Sequence, residues 1–492
     1  MVEEKRQQAV VVGSGIAGIA GAIRLACKGY YVTVLEANAY PGGKLTELQL
    51  GNYRFDAGPS LFTLPHLVDE LFELAGKHPA DYFSYDQLET SCQYFFEDGT
   101  TLQFFADQAR LLEEVTIKLQ VDSKPLEDHL KRSKLIYDAT HKAFMERSLH
   151  RFSSYISTDI LKCMAHIPKL NLFTTMHKVN QQRLNHPKLV QLFDRYATYN
   201  GSNPYSAPGI LNLIPHLEHG FGTFFPRKGM HSITTSLLQL AEELGVQFRF
   251  NERVEEIVVE AKRVIGVRTI SSFYPANTVL CNSDIKPAYT HLLKQQPQPK
   301  KTLAREPSSS AMIFYWGIRH SFPQLDLHNI FFSDDYQGEF EAIFGNKAVS
   351  NDPTIYVHVS SKKVSDDAPS GCENWFVMVN VPHNQGQDWE ILRKQIRISV
   401  LEKLSRILQT DIAPLIEEED YLDPLRIEER TGSFAGALYG ASSNERMAAF
   451  FRHPNFSKID GLYFAGGSVH PGGGIPLCLL SAKIACDLLP NH

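Results

Sequence analysis

Gly13-Ser14-Gly15-Ile16-Ala17-Gly18, followed about twenty residues later by the acid Glu36, has residue types and a spacing that suit a pyrophosphate. The first glycine permits a sharp turn out of a strand. The second has no Cβ, so an anion can lie against the backbone. The third lets the following helix pack closely on that strand. Free N–H groups at the helix start add a positive dipole end. Glu36, with Ala37 beside it, is placed to accept hydrogen bonds from ribose hydroxyls. Two further tight loops follow, Pro41-Gly42-Gly43-Lys44 and Gly58-Pro59-Ser60. Another glycine cluster stands almost at the end of the chain, in "YFAGGSVHPGGGIPLCLLSAK", Tyr463 to Lys483.

The elements around these residues are those the chemistry needs. Ala9 to Val12 is a short β-branched run, and Ala20, Ala22, Ile23, Leu25 and Ala26 recur at helical spacing. Tyr31 to Leu35 is a second apolar run ending at Glu36. The order strand, glycine turn, helix, strand, acid is that of a dinucleotide-binding βαβ unit. The second and third loops favour FAD over a nicotinamide, because a longer, fully buried dinucleotide needs more close-approach backbone. A second GxGxxG in a βαβ setting is missing. The electrons are therefore expected to leave to oxygen or a quinone.

Further along, "LVDELFELAG" predicts a helix with a glycine stop. "YFFEDGTTLQFF" predicts a hairpin around Asp98-Gly99. Phe152 to Met176 mixes Ile, Leu, Met and Phe with Lys162, His166 and Lys169. That stretch reads either as a helical cap packed on the core or as an amphipathic surface resting on a membrane. Met230 to Leu244 predicts a helix stopped by Gly245. Strands are expected at Val246 to Asn251 and Val254 to Val259, with the Val254 backbone beside an adenine. "NTVLCNSD" predicts a buried strand ending in small polar residues, with Ser283 at the cofactor. "SSSAMIFYWGI", "HNIFFSDDY", "TIYVHVSS" and "NWFVMVNVP" are β-branched and aromatic runs that could form one wall of a pocket.

At 492 residues the chain is expected to hold about two or three domains. The expected fold class is α/β: a discontinuous Rossmann-type domain (1–71, 222–284 and 430–492) and a mixed sheet-and-helix substrate domain with a helical cap (72–221 and 285–429). Hydrophobic content of 43% and charged content of 21% are those of a globular protein. A formal net charge of −6 gives no reason to expect a nucleic-acid partner. The seven cysteines include no CxxC pair, which fits reduced thiols and predicts no metal site. No apolar signal region opens the chain and no apolar run is long enough to span a bilayer. A cytoplasmic protein, peripherally associated with the inner face of the cell membrane, is expected.

"LYFAGGSVHPGGGIPLCLLSAK" resembles the C-terminal signature of the phytoene-desaturase family of FAD-dependent carotenoid desaturases. "NGSNPYSAPGI", "FGTFFPRKGMHSI" and "HNIFFSDDYQGEFEAIF" are similar to other stretches of that family, so the resemblance covers nearly the whole chain. It implies that the late glycines close over a flavin. Gly466, Gly467 and Gly474 would let backbone approach its ribityl and ring atoms. Gly474-Ile475-Pro476 would start a helix aimed at the isoalloxazine. It implies a long apolar polyene as substrate and a reaction that removes two hydrogens from adjacent carbons. Asp159 and Lys162, one helical turn apart in "STDILK", lie where a related pair occurs in family members and are the candidate catalytic residues. Within the family the likeness points to the 1-hydroxycarotenoid 3,4-desaturase branch. A phytoene or diapophytoene desaturase, a carotenoid isomerase, and an amine or protoporphyrinogen oxidase stay as alternatives. Two positions depart from related flavoproteins: Gly467 stands where an acid often follows "FAG", and Lys44 replaces the Arg of "GGR", losing the planar fork. His470, within the glycine turn, is expected to satisfy backbone rather than to act.

Overall fold

Gln8–Val12, the strand that feeds the first glycine turn, is buried on both sides. The computed structural model describes residues 7–148, 150–151, 160, 163–164, 166–445, 448 and 452–491. Among these, Gln8–Val12 pairs in parallel with Tyr31–Leu35 on one side and Thr278–Cys281 on the other. Leu462–Phe464 and Gln247–Arg249 extend the sheet at its two edges, again in parallel. Parallel strands covered on both faces need continuous apolar runs, and Val10, Val11, Val279 and Leu280 are all buried. The sheet thus gathers strands from the start, middle and end of the chain.

Helix Ile16–Cys27 covers one face. Its Ile19, Ala20, Ala22, Ile23 and Leu25 are fully buried. Helices His231–Glu243 and Ile475–Cys486 flank it. The approach is close because small residues sit on its inner face: a Cβ on Gly21 would lie 2.2 Å from Leu280 Cδ2.

Asp56 ties two of the quoted sequence stretches together. It ends the hairpin Glu47–Leu50 and Tyr53–Asp56. Its carboxylate accepts from the N–H groups of Met230 (2.8 Å) and His231 (3.1 Å) at the start of helix His231–Glu243. A carboxylate at a helix N-terminus caps orphan donors and meets the positive dipole end. The following residues are held by residues 44–46: Ala57 N–H donates to Thr46 O at 2.8 Å, and Gly58 packs on Lys44 O.

The four aromatic runs predicted as strands are Ser310–Ile318, His328–Phe331, Ile355–His358 and Glu373–Val381. They belong to one sheet. Among the described residues its order is Ile416–Leu422, Ser310–Ile318, Glu373–Val381, Ile355–His358, His328–Phe331, Thr90–Phe95 and Thr101–Phe105. The Asp98-Gly99 hairpin joins this sheet through a parallel pair with His328–Phe331. Side chains alternate as a strand requires: Phe314 and Trp316 pack outward under helix Trp389–Leu408, while Ile313 and Tyr315 face inward. Ile416–Leu422 was not expected as a strand. It is an edge strand whose Glu417, Glu418 and Glu419 keep that edge charged, which discourages pairing with another chain.

Helices Lys124–Phe144, Met176–Arg183, Pro187–Asp194 and Ile214–His219 cover the far end. Residues 152–159, 161–162 and 165 lie outside the described residues. Of their neighbours, Met164, Ile167 and Phe173 are exposed. Among the described residues no helix is long and apolar enough to cross a membrane.

Candidate active site

A cavity of about 1110 Å³ runs from the first glycine turn into the space between the two large sheets. Gly13, Gly15, Ile16, Ala17, Glu36, Ala37, Gly43, Lys44, Gly58, Pro59, Ser60, Val254, Ser283, Gly466, Gly467, Gly474, Ile475 and Pro476 all line it. Ser14 and Gly18 stand just behind the lining. Asp159 and Lys162 lie outside the described residues.

The nucleotide end is shaped by atoms that are missing. Gly13 turns at φ +93°, in the left-handed region that glycine tolerates. A Cβ on Gly18 would lie 2.1 Å from Gly13 O, and one on Gly58 would lie 1.7 Å from Lys44 O. Neither backbone oxygen can move aside as a flexible side chain could. Gly42 N–H donates to Ser14 O at 2.8 Å, so the second glycine loop is bonded to the first. The buried Glu36 carboxylate accepts from Ser14 N–H and Ser14 Oγ–H, both at 2.8 Å, and from Asn38 N–H at 2.8 Å. It is thereby held at the lining, as ribose recognition requires.

Asn282, which the sequence reading passed over for its neighbour Ser283, joins the two ends of the chain. Its Nδ2 donates to Ala465 O at 2.8 Å. A Cβ on Gly15 would meet its Oδ1 at 2.7 Å, and one on Gly466 its Nδ2 at 2.6 Å. Its sequence signal was a small polar residue directly after a buried parallel strand. Gly474, at φ +98°, caps helix Ile475–Cys486 and turns the helix start to the lining.

Lys44 and Arg452 are among the cations on the lining of this end. Lys44 Nζ donates to Leu438 O (2.7 Å) and Ala437 O (3.2 Å). Burial pushes its pKa down, and Asp284, also on the lining, opposes that shift. Arg452 donates to the carbonyls of Tyr439 (2.8 Å), Ala441 (2.9 Å) and Gly467 (3.1 Å). Burial lowers its pKa to about 10, with Arg305 adding to the effect. It clamps the late glycine loop, and nothing in its local sequence pattern announced it. His470 does not line the cavity: it is buried and bonded through Nε2 to Arg147 O at 2.8 Å. Burial lowers its pKa to about 4.

The other end is apolar, with a few polar groups. Neighbouring strands of the large sheet present a cross-strand row, Leu422, Ile313, Met378, Tyr356 and Ile330, to the cavity. Ser60 Oγ and Tyr356 Oη are 2.6 Å apart, and Tyr356 Oη is 2.7 Å from His328 Nδ1. At the same end, Arg195 donates to the hydroxyls of Tyr94 (2.9 Å) and Tyr199 (3.4 Å). Tyr199 and Tyr196 both donate to Glu218. Arg195 and Glu218 are thus joined through tyrosine rather than directly.

The missing Cβ atoms, the bonded Glu36 carboxylate and the start of helix Ile475–Cys486 on one lining fit a bound FAD. Comparison with known proteins agrees. Residues 16–489 match the family model for flavin-containing amine oxidoreductases. The chain is 51% identical over 486 residues to a 1-hydroxycarotenoid 3,4-desaturase of Flavobacterium sp., covering 99% of each chain. It is 32% identical to a 4,4'-diapolycopene oxygenase of Methylomonas sp., again over 99% of each. An oxidoreductase from Methanosarcina mazei shares the fold, with a TM-score of 0.64 at 13% identity over 98% of this chain and 100% of that one.

Proposed function

The chain belongs to the flavin-containing amine oxidoreductases and is an FAD-dependent oxidoreductase, and we propose that it desaturates an acyclic carotenoid, at the 3,4-bond of a 1-hydroxycarotenoid. The observation that carries this reading is full-length identity of 51% to a desaturase of that name. The apolar row of the large sheet supports it, since a polyene offers dispersion contacts and few hydrogen bonds.

FAD, when bound, supplies a two-electron acceptor that takes a hydride from one carbon while the neighbouring carbon loses a proton. The chain's own residues hold and orient. The glycine loops at 13–18, 42–43, 58 and 466–474 would bring backbone against the cofactor. The start of helix Ile475–Cys486 would set its positive end against charge developing on the ring. The apolar wall would exclude water and align the polyene. Asp159 and Lys162 are the proposed proton-handling pair. Asp159→Asn with unchanged turnover would remove it from the mechanism. The division into a discontinuous FAD-binding domain and a substrate domain with a cap is part of the same proposal.

Exposed Met164, Ile167 and Phe173 near Lys169 support a cap that rests on the inner face of the cell membrane, where an apolar substrate would be found. The proposed electron acceptor is oxygen or a quinone. Flotation with anionic vesicles should carry the protein upward, and protein left at the bottom would count against membrane docking.

The reaction is tested by incubating the FAD-loaded protein with vesicles that hold an acyclic carotenoid bearing a terminal 1-hydroxyl. The expected product is two hydrogens lighter. A product of unchanged mass would indicate an isomerase. A product that gains oxygen would favour the chemistry named for the Methylomonas relative.

A further inference from the structure

Resting on the desaturase reading, we propose that Tyr356, held between Ser60 and His328, is the group that receives the terminal hydroxyl of the substrate. It would thereby set which carbon–carbon bond meets the cofactor.

The wall itself singles out this residue. Across the strands, the cavity-facing row reads Leu422, Ile313, Met378, Tyr356, Ile330. Four are apolar, and Tyr356 places a phenol among them. It lies in a central strand of the sheet, so its partial exposure is exposure to the cavity. Its oxygen bonds Ser60 Oγ at 2.6 Å and His328 Nδ1 at 2.7 Å. A phenolic oxygen has one donor and two acceptor sites, so one position remains for a ligand.

Geometry favours this group over the neighbouring Arg195 and Glu218 cluster. In a 1-hydroxylated end group, three single bonds separate the oxygen from C3, a span of at most about 4 Å. The hydroxyl must therefore bind beside the carbons being oxidised, and these must lie against the cofactor. Ser60 belongs to the loop whose Gly58 packs on Lys44 O without room for a Cβ, at the cofactor lining. Tyr356 is bonded to that loop. The bonds of Arg195 and Glu218 run instead to Tyr94, Tyr196 and Tyr199.

His328 acts as a positioning residue. It is buried, and burial together with neighbouring His358 and Arg195 holds its pKa well below the ordinary range, so it is neutral. A neutral imidazole fixes the direction of the phenol.

The test compares kcat/KM for an acyclic carotenoid with the terminal hydroxyl and for the same carotenoid without it. Wild type should prefer the hydroxylated compound strongly, because a pocket built for a hydroxyl is left unpaired by its analogue. Tyr356→Phe keeps the ring and its packing, and should cut that preference at least about tenfold by slowing the hydroxylated substrate more than its analogue. His328→Phe should lower the preference, and His328→Asn, which keeps a polar atom near the Nδ1 position, should restore part of it. A preference unchanged in FAD-loaded Tyr356→Phe would overturn the proposal. So would a wild type that treats both compounds alike. If wild type oxidises neither compound while holding FAD, the desaturase reading itself fails.

Discussion

At the nucleotide end of the cavity the walls are backbone: Gly13, Gly15, Gly43, Gly466 and Gly474, with Glu36 held by Ser14 and Asn38. At the other end they are side chains, supplied by strands 310–318, 328–331, 355–358 and 373–381 and by the helical cap. The first end works by the atoms it lacks. The second works by the atoms it offers. Substitutions should therefore fail in different ways: added bulk at the nucleotide end should abolish cofactor binding, while changes at the apolar end should leave the cofactor in place and alter turnover.

The largest effect is expected at Gly58. Its Cβ position lies 1.7 Å from Lys44 O, a backbone atom held in a loop. Gly58→Val should yield protein without bound flavin, or weaken FAD by more than about a hundredfold, since strain on two loops must be relieved. Flavin absorbance per chain after purification measures this. Glu36→Ala comes next. It removes the acceptor of three hydrogen bonds and any ribose contact, and should weaken FAD by about 10- to 100-fold. Fluorescence titration of the apoprotein would show it.

Ile330→Trp sharpens the contrast from the other side. The side chain faces the cavity beside Tyr356, and added bulk there should lower turnover about tenfold through misplacement of the polyene. Flavin content should not change. Loss of flavin in this variant would break the division between the ends.

The smallest effect per residue concerns pH. Burial lowers the pKa of His129 to about 3 and of His219, His358, His453 and His470 to about 4. These values lie below that of an unfolded histidine, about 6.5. As pH falls through the unfolded value, the unfolded chain takes up protons that the folded chain refuses, so stability is lost on acidification. At pH 6 each such histidine costs on the order of 1 kcal/mol. His129 and His219 lie on helices Lys124–Phe144 and Ile214–His219, and His358 lies on the seven-stranded sheet. Urea midpoints should fall between pH 7.5 and pH 6, with the cap loosening first, and a midpoint that does not move would contradict the buried neutral rings.

The same contrast explains what could be read from the sequence. Missing side chains leave a local signature. Gly13-Ser14-Gly15-Ile16-Ala17-Gly18, the acid at Glu36 and the glycines from Gly466 to Gly474 are visible as text, and the structure brings Gly13, Gly15, Ile16, Ala17, Glu36 and the late glycines to one lining. The aromatic runs at 310–318 and 373–381 were equally legible as strands, because strands buried on both faces are written as continuous β-branched and aromatic runs. Asn282 was not, since its role depends on a strand pairing that links residues 12, 281 and 464. The Ser60, Tyr356 and His328 chain joins three distant segments, none unusual alone. Ile416–Leu422 was hidden because an edge strand with charged residues lacks the apolar alternation of a buried one.

The most direct test of the central claim, that one cavity carries reducing equivalents from a hydroxylated polyene to FAD, is anaerobic mixing of the FAD-loaded protein with vesicle-dispersed 1-hydroxycarotenoid. Flavin absorbance and product mass are followed together. The account predicts bleaching in step with a product two hydrogens lighter. A flavin that stays oxidised with every acyclic carotenoid, in protein shown to hold FAD, would contradict it.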